Sequence, residues 1–420
     1  MKRKWKLITL ITLFSLLNCC IPYSFLNSFE SNRIFQMLYK ASNHLLSLQT
    51  ESGAFIPSEL VAYYNTYIYI HSYVFDALLD AQDASIKISP DVIIKAQNYL
   101  LKMRYMDCWN FTLHIPCDTD DSAIATLTLL RSGIKEENIS KSIEKLNSSI
   151  TSEGYSKLWI TNNDTVYMYF VENNSYSNYY GNVYDSIILT AGTVYDLFIY
   201  NYSIYKNVID KGIIILENSQ EGNGAWLSKY WYPGVFYGIF LYTRLIALNK
   251  PNSNALLKTY EFLLNNQHSD GGWGRNESSN PLDTSLALIS LHYLNLVGFM
   301  CKFTVLKGIN YLFHEQYNNG TFLEVPLWTS APYSYYQGKI LTTVFAVKAL
   351  ALYTTDINDN YLSGVFLQIF IICLIALTCI EYSNYFWEKN YPHYYLKEKF
   401  RQWKIIYEIR TRLLKYRKSE

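Results

Sequence analysis

The chain has 420 residues, half of them hydrophobic, which is enough to bury one large core or two smaller ones. Its formal net charge is +1, but basic side chains concentrate in residues 1–6 and 381–420, and the long stretch between them is acidic. An acidic domain offers no general surface for phosphate groups, so the composition disfavours nucleic-acid binding. The 40 tyrosines supply aromatic surface to any cavity that the chain forms.

The N-terminus begins with a basic segment, Lys2-Arg3-Lys4, followed by an apolar run from Leu7 to Leu17. A short apolar run behind basic residues is typical of a signal peptide or a short membrane anchor. We therefore expect residues 1–25 to be such a segment and the folded domain to begin near residue 29.

Residues 29–355 are built from repeats. Four turns share the pattern Gln-x-x-x-Gly-x-aromatic, and degenerate copies occur at 105–109 and 152–155. The four turns start at Gln49, Gln220, Gln267 and Gln316. Each turn follows an amphipathic helical segment and precedes a second segment rich in small and apolar residues. These second segments begin near Thr66, Ser122, Ser186, Phe236, Thr284 and Thr343. Six helical hairpins without polar capping repeats predict an all-α fold, a closed (α/α)6 toroid with the second helices inside.

The residues of the repeated turn have separate expected roles. Glycine can adopt a backbone angle that other residues avoid, and the glutamine side chain can bond free backbone groups. The aromatic ring is expected to pack against the neighbouring hairpin.

An acidic run stands where the second inner helix is expected to start: Cys117-Asp118-Thr119-Asp120-Asp121-Ser122-Ala123. Asp121-Ser122 recurs as Asp185-Ser186 and Asp283-Thr284, which favours a helix-capping role for Asp121. Asp118 and Asp120 are absent from those other copies. Carboxylates this close retain a proton in a partly buried site, and a protonated carboxyl group can serve as a general acid. We expect Asp121 to cap its helix and Asp120 to point into the ring with a raised pKa.

Two cysteines, Cys108 and Cys117, flank the loop that leads into the acidic run. We expect a disulfide between them in an oxidising compartment. The chain has no Cys-x-x-Cys or His-Glu-x-x-His pattern, so the sequence indicates no metal site and no metal cofactor.

A second membrane segment is expected near the C-terminus. Leu362 to Ile380 is almost entirely apolar, which predicts a transmembrane helix over residues 361–381. The basic residues 382–420 after it predict a cytoplasmic tail, so the toroid would lie outside the cytoplasm. The protein would then be held at the membrane by this helix.

The repeated turns, together with Asp118-Thr119-Asp120-Asp121-Ser122-Ala123, resemble the squalene-hopene cyclase and class II terpene cyclase superfamily. Its α/α ring is shared with protein prenyltransferase β-subunits, and the resemblance covers residues 29–355. It implies that Asp120 protonates a terminal alkene or epoxide of an isoprenoid, while Asp118 and Asp121 tune its acidity. It implies no cofactor. The adjacent Asp107-Cys108 pair does not have the spacing of a zinc-dependent protein prenyltransferase.

The same resemblance implies that aromatic faces hold the carbocation that forms during cyclisation. The candidates for this lining are Tyr63, Tyr64, Tyr67, Trp231, Tyr232, Phe236, Tyr335 and Tyr336. Two other classes stay open on the residues alone. One is a non-catalytic toroid that binds a lipid, a peptide or a partner at the cell surface. The other is a carbohydrate-active enzyme, because α/α rings with tyrosine-lined clefts also hold sugars and paired carboxylates cleave glycosides.

Overall fold

The computed structural model describes residues 31–55, 67–110, 116–160, 186–227, 232, 234–275, 277–330, 334–336 and 340–354. These residues belong to one compact unit, Phe29–Ile357. The predicted N-terminal segment, the transmembrane helix over 361–381 and the basic tail lie outside the described residues. No helix within the described ranges is long and apolar enough to cross a membrane.

The described residues form helical hairpins in which an outer helix precedes an inner helix. In chain order the helices are α1 (residues 31–47), α2 (Tyr67–Asp83), α3 (Pro90–Met103), α4 (Thr119–Arg131), α5 (Ser140–Ser149), α6 (Ser186–Asn218), α7 (Phe236–Asn249), α8 (Asn254–Asn265), α9 (Pro281–Leu296), α10 (Lys302–Glu315) and α11 (residues 341–354). Non-helical backbone at Asn201 divides α6 into the inner helix of the third hairpin and the outer helix of the fourth. A short 3₁₀ turn, Glu136–Asn138, precedes α5.

Apart from these helices, the described residues contain one short antiparallel pair, β1 (Trp328–Ser330) with β2 (Ser334–Tyr336). Trp328 stands opposite Tyr336 in this pair. The strand pair lies in the connection between α10 and α11, so it does not interrupt the ring of helices.

The two layers differ in burial as their sequences predict. Nearly every residue of α7 and α9 is buried, as expected for inner helices that are apolar on all sides. The outer helix α8 buries only one stripe, Ala255, Leu256, Thr259 and Leu263. The hydrophobic core therefore lies between the two layers and inside the inner one.

Each of the four glutamine turns is bonded to the hairpin that follows it in the ring. Gln220 Nε2 donates to the carbonyl of Gly224 at 3.0 Å and to that of Ala255, at the start of the next outer helix, at 2.9 Å. In the last turn, Gln316 Nε2 donates to the carbonyl of Met37 on α1 at 2.9 Å. The final turn thus bonds the first helix, and the predicted closed all-α ring is confirmed.

Glycine is required at these junctions by its backbone angle and by the close approach of the next helix. Gly320 has φ +89°, and a Cβ there would lie 2.4 Å from the carbonyl oxygen of Lys40. The aromatic residue of the turn contacts its own hairpin as well as the neighbouring one that the sequence predicted. The Trp273 indole N–H donates to the carbonyl of Leu263 in its own hairpin at 2.8 Å, while its ring packs against Gly308 of the next outer helix.

Candidate active site

The acidic run forms the first turn of α4. The N-cap is Asp118, whose Oδ1 accepts from the backbone N–H of Asp121 at 2.7 Å. The expectation that Asp121 caps the helix was therefore wrong. The helix starts at Thr119, three residues before the expected start at Ser122, so Asp121 is the third helical residue and supplies the N–H group that an N-cap accepts.

Asp120 extends towards the interior of the ring. It belongs to the second hairpin, and its Oδ2 accepts a hydrogen bond from the hydroxyl of Tyr232, which lies just before the inner helix of the fourth hairpin. These hairpins are not neighbours, so the bond crosses the inside of the ring. Burial raises the pKa of Asp120 to about 6, while the hydrogen bond from Tyr232 acts in the opposite direction. The expected rise is confirmed, but burial is its main cause rather than the neighbouring carboxylates.

Asp121 is buried, with 2% of its surface exposed. Burial raises its pKa well above the usual range, and the negative charges of Asp118 and Asp120 raise it further. Its Oδ1 has no hydrogen-bond partner among the described residues. The run therefore contains two carboxyl groups that hold a proton more strongly than an exposed aspartate does.

A chain of four tyrosine hydroxyls continues from Asp120. Tyr232 lies 3.3 Å from the hydroxyl of Tyr69, which lies 3.0 Å from that of Tyr237, which in turn lies 2.6 Å from that of Tyr73. Tyr69 and Tyr73 lie on α2, and Tyr237 lies on α7, the inner helices of the first and fourth hairpins. In a ring of six these hairpins are opposite, so this tyrosine chain crosses the ring axis.

Aromatic side chains fill the axis beside the tyrosine chain. The Phe345 ring of α11 lies 5.3 Å from the Tyr73 ring, 6.1 Å from the Tyr237 ring and 5.8 Å from the Phe240 ring, measured between centroids. All four side chains are buried. Since Asp120 lies at the N-terminal end of its helix, a reacting molecule would reach it from the N-terminal ends of the inner helices.

The C-terminal ends of the inner helices hold a cluster of charges. Asp76 and Asp80 of α2 accept from Arg131 of α4 and from Lys348 of α11. Burial alone would raise the pKa of Asp76, but Arg131 and Lys348 outweigh it and hold that pKa below its usual range. The cluster ties three inner helices together at the end opposite Asp120.

The predicted lining residues are only partly placed. Tyr232 contacts Asp120, and Phe236, the first residue of α7, packs between the layers against Phe262 at 6.2 Å. Tyr63, Tyr64 and Trp231 lie outside the described residues. Tyr67 starts α2, and Tyr335 and Tyr336 lie in β2, but their side chains are not described.

Sequence reasoning missed Tyr69, Tyr73 and Tyr237. A signal for the first two was present, because residues four apart on an inner helix share one face. Nothing in the sequence pairs them with a tyrosine on the opposite helix.

Cys108 and Cys117 form a disulfide with their Cα atoms 5.8 Å apart, which confirms the predicted pairing. No group of three His, Cys, Asp or Glu side chains within the described ranges could hold a metal ion. His71 is structural: its Nδ1 accepts from the backbone N–H of Phe55 at 3.0 Å, and burial lowers its pKa to about 3.

A family model, the squalene-hopene cyclase C-terminal domain, matches residues 104–355, so the chain belongs to this family. This agrees with the resemblance found in the sequence. Over 129 residues, 29% of the chain, it is 32% identical to (+)-kolavenyl diphosphate synthase of Herpetosiphon aurantiacus. That match spans 22% of the relative's length.

The fold is similar to that of the type II terpene cyclase MstE from Scytonema, solved with geranylgeranyl dihydroxybenzoate. The TM-score is 0.62 at 14% identity, covering 77% of this chain and 98% of that one. A protein from Actinoplanes has a TM-score of 0.60 at 14% identity, covering 76% and 98%. At these identities the structures show a shared fold.

Proposed function

We propose that this protein is a class II terpene cyclase in which Asp120 starts the cyclisation of an isoprenoid by protonating it. The observation that carries the proposal is the state of Asp120: a partly buried carboxyl group inside an α/α ring, with its pKa raised to about 6. A carboxyl group with such a pKa keeps a substantial protonated fraction near neutral pH and can act as a general acid.

The first step transfers the proton of Asp120 to one carbon of a terminal alkene, or to the oxygen of an epoxide. The alkene π pair forms the new C–H bond and leaves a cation on the adjacent carbon, which the next double bond attacks. Tyr232 donates to Oδ2, and this bond favours the carboxylate that the step creates. Asp118 fixes the first turn of α4 and so positions Asp120.

The substrate class is taken from the named relatives. One makes kolavenyl diphosphate and the other is solved with geranylgeranyl dihydroxybenzoate as its substrate. We propose a linear isoprenoid that carries a polar head, with aromatic faces stabilising the cation by cation–π attraction. Asp120's partner across the ring is a tyrosine hydroxyl rather than a second carboxylate, which favours this reaction over glycoside cleavage.

A non-catalytic binding toroid is the second candidate. It is favoured by the packing of Tyr73, Tyr237, Phe240 and Phe345, which fills the ring axis on the C-terminal side of Asp120. Such a ring would hold a lipid or a partner without transforming it.

We also propose that the toroid lies outside the cytoplasm and is held by a helix over residues 361–381. The Cys108–Cys117 disulfide supports an oxidising compartment. Protease added to intact cells should digest the toroid and spare the tail. Cleavage of the tail with an intact toroid would reverse this orientation.

The cyclase proposal is tested by incubating the purified protein with squalene, geranylgeranyl diphosphate and geranylgeranyl dihydroxybenzoate. A cyclised isomer, or its hydrated form, is expected from at least one of them by mass spectrometry. Asp120→Asn should give none, whereas Asp91→Asn, at an exposed aspartate on the outer helix α3, should react like the wild type. Conversion that survives Asp120→Asn, or binding of a probe without conversion by the wild type, would contradict the proposal.

A further inference from the structure

The last glutamine turn differs from the other three at the residue that follows its glycine. The other turns have a small side chain or none at this position: Ala54, Ala225 and Gly272. The last turn has Thr321, which lies two residues after Asn319. The turn therefore contains Asn319-Gly320-Thr321, an Asn-x-Thr sequence. In proteins outside the cytoplasm this sequence is the acceptor for N-linked sugars.

The motif by itself does not identify a modified residue. Eight Asn-x-Ser/Thr sequences occur in this asparagine-rich chain, and such matches arise by chance. Asn319 can be judged further, because the repeat supplies the same turn without the threonine. The comparison separates what the turn needs from what the last turn adds to it.

The carboxamide of Asn319 is held by two hydrogen bonds from Thr321. Its Oδ1 accepts from the backbone N–H of Thr321 at 3.1 Å and from the hydroxyl at 2.8 Å. A backbone N–H can bond only the oxygen of a carboxamide, so these bonds also define the side on which Nδ2 lies. Nδ2 has no hydrogen-bond partner among the described residues, and the side chain is exposed. The nitrogen that would carry a sugar is therefore free in the folded turn.

The repeat explains the oxygen of Asn319 but not the hydroxyl of Thr321. Asn223 and Asp270 occupy the same turn position, and each accepts from the N–H two residues later at 3.0 Å. The turn thus needs an acceptor oxygen, which aspartate supplies as well as asparagine. It does not need a hydroxyl, because Ala225 and Gly272 follow in those turns. The amide nitrogen of Asn319 and the hydroxyl of Thr321 are both in excess of what the turn requires.

We propose that Asn319 carries an N-linked sugar. The proposal goes beyond the cyclase activity and rests on the proposed location outside the cytoplasm, which the Cys108–Cys117 disulfide supports. The donor would be a sugar linked to a polyprenyl phosphate, used by a separate transferase. The bond between the anomeric carbon and the phosphate oxygen breaks, and a bond from that carbon to Nδ2 forms. Nδ2 loses one proton to water, and the polyprenyl phosphate leaves. Oδ1 keeps its two bonds, so the modified turn retains its geometry.

The test is peptide mass spectrometry of the full-length protein purified from the membranes of its own cells. The tryptic peptide 308–339 contains Asn319 and no other Asn-x-Ser/Thr sequence. It should carry the mass of one or more sugar residues in most molecules, and fragmentation should place that mass on Asn319. Peptide 212–229 is the internal control, because Asn223 is exposed and bonded in the same way but is followed by Ala225. It should be unmodified.

Two variants separate the attachment chemistry from the turn. Thr321→Ala removes the hydroxyl and keeps the backbone N–H bond, as in the turn of Asn223. Asn319→Asp keeps the acceptor oxygen, as Asp270 does, and removes the nitrogen. Both variants should lose the sugar completely. Thermal unfolding checks that they are folded.

Three outcomes would overturn the proposal. One is peptide 308–339 found only without a sugar. The others are a sugar that persists in Thr321→Ala and an equal modification of Asn223, because attachment would then not depend on the hydroxyl. These outcomes are independent of the cyclisation assay. A missing sugar does not change what Asp120→Asn should do, and loss of conversion in Asp120→Asn should leave the sugar on Asn319.

Discussion

The starts of the inner helices α4 and α9 are built on the same plan. Asp118 caps α4 by accepting from the N–H of Asp121 at 2.7 Å, and Asn280 caps α9 by accepting from the N–H of Asp283 at 2.8 Å. In both, the next residue bonds the backbone N–H of the turn's tryptophan: Ser122 with Trp109 at 3.0 Å, and Thr284 with Trp273 at 2.9 Å. Asp118 and Asp121 therefore occupy positions where α9 also has a capping residue and a buried carboxylate.

The two starts differ at the residue just before the buried carboxylate. Asp120 stands where α9 has Leu282, which is fully buried. They also differ in charge compensation, because Asp283 pairs with Arg275 at 3.2 Å and with Asn280 at 2.7 Å, while no ion pair to Asp121 is found among the described residues. The capping residue and the buried carboxylate three residues after it occur in both helices, so they belong to the repeated structure. Asp120 is an additional carboxyl group that α4 has and α9 lacks.

The largest expected effect comes from removing this addition. Asp120→Leu makes α4 resemble α9, and together with Asp120→Asn it should abolish cyclisation in the product assay. The folded-state pKa of about 6 exceeds the ordinary 3.8, so wild-type stability falls as pH rises between those values. Above pH 6, Asp120→Asn should therefore unfold at a higher denaturant concentration than the wild type. Its free energy of unfolding should be larger by an amount on the order of 2 kcal/mol. Equal stability at pH 7 would show that the carboxyl group is well solvated.

Removing the positive charge that pairs with Asp283 of α9 should have the next largest effect. Arg275→Gln leaves the Asp283 carboxylate buried with only Asn280 beside it, and should cost roughly 3 kcal/mol in the free energy of unfolding. Asp121→Asn, the matched change in α4, should alter stability by less than about 1 kcal/mol, because that carboxyl group already favours its proton. Urea denaturation of both variants measures this. Equal losses would mean that the two buried carboxylates carry the same charge.

The disulfide gives a third way to test the comparison. Cys108 and Cys117 hold positions that are Gly272 and Ser279 before α9, where a Cβ on Gly272 would lie 2.6 Å from the Cβ of Ser279. The two chain segments therefore approach each other closely in both repeats. Replacing both cysteines with alanine should cost roughly 2–3 kcal/mol, mainly by freeing the unfolded chain. A product assay at saturating substrate should still show activity; its complete loss would mean that the bond itself positions Asp120.

A shift in the pH profile is expected from Tyr232→Phe. Only the protonated form of Asp120 can donate, so the single-turnover rate should fall as pH rises through about 6. Tyr232 lowers this pKa by donating a hydrogen bond, so its removal should move the midpoint to higher pH. Rapid-quench measurements across pH 5 to 8 follow the midpoint. A downward shift would show that Tyr232 stabilises the protonated form.

The smallest effect is expected at the cap. Asp118→Asn reproduces the α9 cap and should leave stability nearly unchanged, whereas Asp118→Ala should cost about 1 kcal/mol. Thermal unfolding distinguishes the two. If Asp118→Asn removes activity without loss of stability, the negative charge of Asp118 acts on Asp120 beyond its role as a cap.

The ring, its six hairpins and the Cys108–Cys117 bond could be predicted because each depends on local patterns: turn residues, helical spacing and two thiols beside one loop. The cap could not. Moving the helix start by three residues exchanges the roles of Asp118 and Asp121, and capping residues stand at both positions. The tyrosine chain was also beyond reach, because Tyr69 and Tyr237 meet only when opposite helices face each other across the axis.

The bond between Gln316 and Met37 has a consequence for how the protein folds. It joins residues 279 positions apart, whereas the same bond between the fourth and fifth hairpins joins residues 35 apart. Closing a long loop costs more chain entropy, so hairpins can assemble on their sequence neighbours before the sixth meets the first. Until that contact forms, the assembly is an open arc with an apolar edge at each end. An arc of this kind can join a second copy edge to edge, so slow closure would favour domain-swapped rings at high protein concentration.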